Sequence, residues 1–147
     1  MAILDKKLVM FDDKTIVGDA NASTASTELD LGIGYDAWDQ SQTPDIGEGG
    51  DIYVNVNLSS DMKPATHAGT LYLYTHTSTT VTGGSVIMTQ AVAAAGKTGK
   101  QLMRAKIPAG SVKRYIGLVY TSNATACTSG ALDGWLSLDS ESALPTT

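Results

Sequence analysis

The feature that most constrains the fold of this chain is a strict alternation of apolar and polar side chains. In residues 51–61, DIYVNVNLSSD, one side of the expected strand carries Ile52, Val54, Val56 and Leu58. The other side carries Tyr53, Asn55 and Asn57. Residues 69–79, GTLYLYTHTST, repeat the pattern, with Leu71, Leu73 and Thr75 opposite Tyr72, Tyr74 and His76. A period of two is typical of a strand with one buried face and one solvated face. The sequence therefore predicts sheets, and it raises the question of what their polar faces contact.

Segments of similar length, separated by turn residues, occur along the rest of the chain. They are residues 8–11, 26–32 (STELDLG), 100–110 (KQLMRAKIPAG), 113–122 (KRYIGLVYTS) and 131–140 (ALDGWLSLDS). In residues 85–99, SVIMTQAVAAAGKTG, we expect a strand that runs into one helical turn near residues 89–95. About eight short strands at this spacing predict an all-β fold, an antiparallel β-sandwich or a barrel. With 147 residues, 42% of them hydrophobic and 17% charged, the chain forms one globular domain, residues 1–147.

The two ends of the chain are expected to differ from the sandwich. Residues 1–13 form a candidate N-terminal arm, because Ile3, Leu4 and Leu8 lie close to the terminus; the alternative is that they form the first strand. Residues 141–147 are interpreted as a short C-terminal tail. No apolar run has the length of a signal-peptide core or a membrane span, and Cys127 is alone. We therefore expect synthesis in a reducing cytoplasm and no membrane partner.

Charge is unevenly distributed along the chain. Residues 1–64 hold twelve acidic and four basic side chains, whereas residues 65–132 hold no acid and six bases. These bases are Lys97, Lys100, Arg104, Lys106, Lys113 and Arg114. Either strands from the two parts interleave and mix their charges, or the acid-free part presents a basic face to an acidic partner. The net charge of −5 argues against nucleic acid as a direct partner.

Residue types that carry chemistry are sparse. His67 and His76 have no Cys or Asp between them, and no Ser lies in a G-x-S-x-G motif. Residues 47–51, GEGGD, lack the Lys of a phosphate-binding loop. We therefore predict no catalytic site, no metal site and no cofactor, and we expect both histidines in solvent or at an interface. The acidic residues of the 36–51 loop leave calcium binding open.

Trp135 offers two interpretations. In ALDGWLSLD it lies beside acidic residues, an arrangement that fits a sugar-stacking surface, but an exposed strand aromatic is equally an anchor of a protein interface. A carbohydrate-binding β-sandwich module that uses Trp38, Trp135 or the strand tyrosines is therefore an alternative function. A small hydrolase, the third hypothesis, would need an acid/base pair that the sequence does not provide.

The order of these segments resembles a known family, the capsid cement (decoration) proteins of tailed phages. These are small jelly-roll proteins on the outside of some short-tailed phage heads. The similar segments are ILDKKLVMFDDKTI, STELDLG, DIGEGGDIYVNVNL, AGTLYLYTHTS and IPAGSVKRYIGLVYTSNATACTSGALDGWLSLD, which together run from about residue 3 to residue 139. Residues 36–44, DAWDQSQTP, and residues 80–99 depart from the family pattern, so no family contact is transferred to them.

The resemblance implies a jelly roll that catalyses nothing and clamps neighbouring subunits of the assembled major capsid protein. The protein would lie on the outer capsid surface of the virion, after synthesis in the host bacterial cytoplasm. A self-complementary patch is expected, which predicts a homodimer, or alternatively a homotrimer. The candidate residues for contacts with the capsid or with a second copy are Lys6, Lys7, Phe11, Tyr53, Tyr72, Lys113, Arg114 and Trp135. Buried aromatic contacts are expected to dominate the affinity, and charges at the rim the association rate.

Overall fold

A computed structural model describes residues 8–32, 34–35, 41–42, 51–79 and 83–137, and the regular elements in this part are all β-strands. The strands are β1 (Val9–Thr15), β2 (Ser23–Ala25), β3 (Leu29–Asp30), β4 (Gly34–Tyr35), β5 (Ser41–Gln42), β6 (Tyr53–Lys63), β7 (Gly69–His76), β8 (Ser85–Val92), β9 (Gln101–Lys106), β10 (Tyr115–Ser122) and β11 (Ser129–Ser137). In the same residues there is no helix long and apolar enough to cross a bilayer.

The strands form two antiparallel sheets. The first sheet has the order β1-β11-β6-β9, and the second has the order β2-β10-β7-β8, with β3 also paired to β10. Strands β2 and β3 pair with successive parts of β10, Val119 to Thr121 and Tyr115 to Ile116, and so act as one interrupted strand. Strands β4 and β5 form a separate two-stranded ribbon.

The strand pairings are nested. Strand β1 pairs with β11, β2 and β3 pair with β10, β6 pairs with β9, and β7 pairs with β8. This is one long hairpin that has rolled up, and the additional pairings β11–β6 and β10–β7 close it into two facing sheets. Such an eight-stranded, two-sheet arrangement is a jelly roll. The predicted all-β antiparallel sandwich of about eight strands is confirmed.

The core lies between the two sheets and is built by the alternation seen in the sequence. Val54 and Leu58 on β6 face Leu73 on β7 and Leu118 on β10, and all four are almost fully buried. Burial of one such side chain contributes about 1.5–3 kcal/mol. The cluster continues through Met10, Phe11, Ile16, Val56, Met62, Leu71, Met103, Ile107, Val112, Ile116, Tyr120, Leu132 and Leu136.

Gly134 in β11 allows close packing between the two sheets. A Cβ atom at this position would lie 2.8 Å from Leu118 Cδ1 and 3.1 Å from Phe11 Cδ2. The glycine in the sequence LDGWL therefore occupies an inward position, where a larger residue would require Leu118 and Phe11 to shift.

The structure corrects two local predictions from the sequence. Strand β8 runs to Val92, and Ala95 has a positive φ of 58°, so residues 89–95 form a strand end and a turn instead of a helical turn. Residues 9–13, assigned to a candidate arm, belong to strand β1, because Met10 and Phe11 pack in the core. Residues 1–7 and the 141–147 tail lie outside the described residues, as do most residues of the acidic 36–51 loop.

Ion pairs join the acid-rich first part of the chain to the acid-free second part. Lys97 pairs with Asp61 at 3.0 Å, Arg114 pairs with Asp30 at 2.8 Å, and Lys106 pairs with Asp51. Among the described residues, three of the six bases in residues 65–132 thus have an acidic partner from residues 1–64. These ion pairs support the interpretation in which strands from the two parts of the chain interleave and mix their charges, and not the one with a segregated basic face.

Candidate interaction surfaces

The fold separates the predicted contact residues into distinct places. Tyr53 and Trp135 share the outer face of the first sheet, and Tyr72 lies on the outer face of the second sheet. Phe11 is 1% exposed and packs in the core, so it offers no surface to a partner and is not proposed further as a contact. Lys113 and Arg114 precede β10, and Lys6 and Lys7 lie outside the described residues.

The outer face of the first sheet, which we call the β6 face, is centred on the polar side of DIYVNVNLSSD. Val9, Trp135, Asn55 and Arg104 lie side by side across β1, β11, β6 and β9. The next rows of the same face contain Ser137, Tyr53 and Lys106 on one side, and Asp133, Asn57 and Gln101 on the other. The β6 face therefore combines a tryptophan, a tyrosine and amides with charges near its margins.

Asn55 and Asn57 are buried although they point away from the core. Asn55 is 1% exposed and Asn57 is 7% exposed. Asn55 Nδ2 donates to Ser137 Oγ at 2.8 Å, but Oδ1 of Asn55 and Oδ1 of Asn57 accept no hydrogen bond. Asp133, opposite Asn57, carries acceptors and no donor when ionised, so it cannot satisfy the amide oxygen. Two neighbouring acceptors without donors cost about 1–3 kcal/mol each in the free protein.

A polar cluster borders the β6 face at Tyr53. The Tyr53 hydroxyl donates to Asp51 Oδ2 at 3.4 Å, and Lys106, opposite Tyr53 on β9, pairs with the same carboxylate. Hydrogen bonding to Lys106 lowers the pKa of Asp51, and hydrogen bonding to Asp51 raises the pKa of Lys106. The exposed pair thus stays ionised over the neutral range and gives the β6 face a charged margin.

The outer face of the second sheet, which we call the β7 face, is uncharged over its central rows. Ala25, Val119, Tyr72 and Thr89 lie side by side across β2, β10, β7 and β8. The rings of Tyr72 and Tyr74 are 5.8 Å apart and tilted by 45°. Hydroxyl groups of Ser23 and Thr121 hydrogen-bond at 2.9 Å in the adjoining row. This face resembles a protein contact surface in composition, and Ser23 and Thr121 satisfy each other within it.

Lys113 and Arg114 hold the second sheet together. Arg114 Nε and Nη2 donate to the two carboxylate oxygens of Asp30 at 2.9 and 2.8 Å, and its guanidinium lies 5.0 Å from the Tyr115 ring centre. The hydrogen bonds from Arg114 lower the pKa of Asp30 to about 2. Lys113 Nζ donates to Ser85 Oγ at 3.2 Å. Both candidates therefore have partners within the chain, which ties their charges to strands β3 and β8.

The two histidines have different surroundings. His67, expected in solvent or at an interface, is 0% exposed; Nε2 lies 2.7 Å from the Tyr120 hydroxyl and Nδ1 lies 2.8 Å from the Thr125 carbonyl oxygen. Burial raises the pKa of the Tyr120 phenol far above its ordinary value, and burial also raises the pKa of the Cys127 thiol. His67, Tyr120 and the Thr125 carbonyl form an interior hydrogen-bonded chain. Sequence reasoning missed it, because both partners of His67 lie more than 50 residues from it along the chain.

His76 forms a local turn contact. Its Nδ1 accepts the Ser78 backbone N–H at 2.8 Å and lies 2.7 Å from Ser78 Oγ. A catalytic base would need a third group to orient it and donors placed for a developing negative charge; the two Ser78 contacts already account for this nitrogen. No group of three or more His, Cys, Asp or Glu side chains within residues 8–32, 51–79 and 83–137 could hold a metal ion.

No protein-family model matches the chain, and no curated protein matches it.

Proposed function

We propose that this protein is a non-enzymatic phage capsid cement protein that binds the outside of the assembled head and clamps neighbouring major capsid protein subunits. The resemblance of its sequence segments to that family supports the proposal, and so does the jelly-roll order of its strands. The fold alone does not assign a function, so the argument rests on the surface.

The observation that carries the proposal is the pair of unsatisfied amide oxygens on the β6 face. Buried polar groups are retained without partners when another role compensates for their cost. Asn55 lies between Trp135 and Arg104 in the central row of the β6 face. A partner that supplies N–H or O–H donors there satisfies both oxygens and covers Trp135. Central aromatic anchors surrounded by polar groups are typical of protein interfaces.

The mode of action follows from mass action. A protein that binds the assembled shell and not free subunits stabilises the shell, and many copies add their contributions without altering any subunit. The test adds the purified protein to heads that lack it and measures the temperature at which the heads release their contents. We expect this temperature to rise, and we expect no binding to free capsid subunits. Heads whose release temperature is unchanged at saturating protein would contradict the proposal.

The alternative, a carbohydrate-binding module, is favoured by one observation. Trp135 lies opposite Asn55 and two residues from Asp133, and an aromatic ring beside amide and carboxylate groups is suited to stacking on a sugar. One comparison distinguishes the two functions: the binding of the protein to heads is measured beside its retention on immobilised glycans. Retention on glycans without binding to heads would replace the first proposal by the second.

A further inference from the structure

The four edges of the sandwich differ in how they are protected from pairing with another strand. On the first sheet, β1 has two register shifts and carries Asp12, Asp13 and Lys14, and β9 carries Arg104 and Lys106. On the second sheet, the β2 and β3 edge is split into pieces of three and two residues. Bulges, charges and short length are the devices that stop unwanted edge pairing.

Strand β8, the fourth edge, has none of these protections except one register shift. It has eight residues, SVIMTQAV, with no charge and no proline. It pairs with β7 from Gly69 to Thr75, and no described strand pairs with its other side. Val86, one of two exposed large hydrophobic side chains among the described residues, lies on it and is 47% exposed. A long, uncharged edge of this kind is a template for another strand.

The β7–β8 hairpin itself carries no formal charge, and Lys113, from the segment before β10, contacts it at Ser85, the first residue of β8. No Asp, Glu, Lys or Arg lies between Lys63 and Lys97, although the chain as a whole carries a net charge of −5. Two copies of this protein can therefore approach edge to edge without repulsion between like charges at this place, whereas the acid-rich parts of two copies would repel each other.

We propose that β8 pairs with β8 of a second copy, antiparallel, to form a symmetric dimer with one continuous sheet across its two-fold axis. In an antiparallel pair of strands, residues that lie opposite each other point to the same face of the sheet. We place Thr89, near the centre of β8, opposite its own copy. Inward residues then lie opposite inward residues, and the two cores are on the same side of the continuous sheet. The contact uses the same strand in both copies, so it closes after two. Edge pairing of this kind produces a dimer and excludes a trimer.

The dimer leaves the β6 face of each copy open, because that face belongs to the other sheet. Two β6 faces on one particle would raise the avidity of the proposed capsid contact. The dimer itself does not depend on that contact, so it can be tested without heads.

The experiment measures the mass of the purified full-length protein by sedimentation equilibrium, with Gln90→Lys on β8 compared with the matched control Gln101→Lys on β9. Both glutamines are exposed strand residues at sheet edges. Wild type and Gln101→Lys are expected to be dimers. Because Thr89 lies opposite its own copy, Thr89→Lys places two like charges directly opposite each other and is expected to dissociate with a constant at least about tenfold higher. Gln90→Lys places the two charges diagonally, opposite Met88 of the second copy, and is expected to weaken the dimer by a smaller factor. Circular dichroism verifies that each variant is folded. A monomeric or trimeric wild type, or folded β8 variants that remain as dimeric as wild type, would overturn the proposal. Either result leaves binding to heads as a separate question.

Discussion

Asn55 lies directly opposite Trp135 in the β6–β11 ladder, and its amide oxygen has no hydrogen-bond donor although the residue is 99% buried from solvent. Cross-strand neighbours on one face have Cβ atoms about 5 Å apart, so the indole and the amide are direct neighbours on the β6 face. The free protein thus keeps an unfavourable arrangement in the centre of an outer face. We interpret this arrangement as preparation for a partner.

Replacing Asn57 by Val is expected to stabilise the free protein. The substitution removes an acceptor without a donor and introduces a residue that favours strands, so the free energy of unfolding should rise by about 1 kcal/mol. The measurement is urea unfolding at constant m. Thr70→Val, a polar-to-Val change on the outer face of the other sheet, is the control and should change stability by less than about 0.5 kcal/mol. Destabilisation by Asn57→Val would show that Asn57 has a structural role in the free protein.

Truncation of Phe11 and truncation of Tyr53 are expected to lower the free energy of unfolding by different amounts. Phe11→Ala empties a core position beside Gly134 and should lower the free energy of unfolding by about 3–5 kcal/mol. Tyr53→Ala removes a half-buried ring from the β6 face and should cost clearly less in stability. Equal losses in the two variants, measured by chemical denaturation, would contradict the core position of Phe11.

Removing the buried His67–Tyr120 contact is expected to lower stability without changing the surface that we propose binds heads. Tyr120→Phe removes the hydroxyl 2.7 Å from His67 Nε2 and leaves a buried ring nitrogen without a partner. We expect a cost of about 1–3 kcal/mol in thermal unfolding. Binding to heads at a temperature where the variant is folded should equal that of wild type. A variant as stable as wild type would show that the contact is not a stabilising hydrogen bond.

Stability is expected to fall in acid over a defined range. The hydrogen bonds from Arg114 lower the pKa of Asp30 to about 2, and the backbone N–H of Thr98, followed by Lys97, lowers the pKa of Asp61 to about 2. Because the folded pKa values lie below the ordinary value of 3.8, this stability is fully present above about pH 4 and is lost as the pH falls toward 2. The denaturation midpoint, measured against pH, should decline over this interval. Asp30→Asn and Asp61→Asn should make the decline shallower, and an unchanged slope in both variants would refute the assignment.

The strands were predictable because alternation needs only neighbouring residues. Leu71, Leu73 and Thr75 are buried and Tyr72 and Tyr74 are half-buried, as the period of two requires. The ion pair of Arg114 and Asp30 spans 84 residues, so no local spacing indicates it. The nested pairing of β1 with β11 is likewise set by the whole chain.

The candidate surface was predicted only in outline. The sequence predicts that the polar side of DIYVNVNLSSD forms an outer face of a sheet. Alternation predicts that the Asn55 and Asn57 side chains point toward this face, but it does not predict that they are buried there. The neighbours of Asn55 across the ladder, Trp135 and Arg104, come from strands far along the chain, and alternation within β6 does not identify them. Phe11 shows the opposite error, because an aromatic residue near the chain terminus is a core residue once β1 pairs with β11.

The most direct test of the proposed function is cosedimentation of the purified protein with heads that lack it. Wild type is compared with Trp135→Ala on the β6 face and with Tyr72→Ala on the β7 face, a matched aromatic truncation on the opposite side of the sandwich. We predict that wild type and Tyr72→Ala sediment with heads with similar affinity, and that Trp135→Ala binds at least about tenfold more weakly, the loss expected for an anchor worth more than 1.4 kcal/mol. Wild-type protein that stays in the supernatant, or Trp135→Ala that binds as tightly as Tyr72→Ala, would contradict the account.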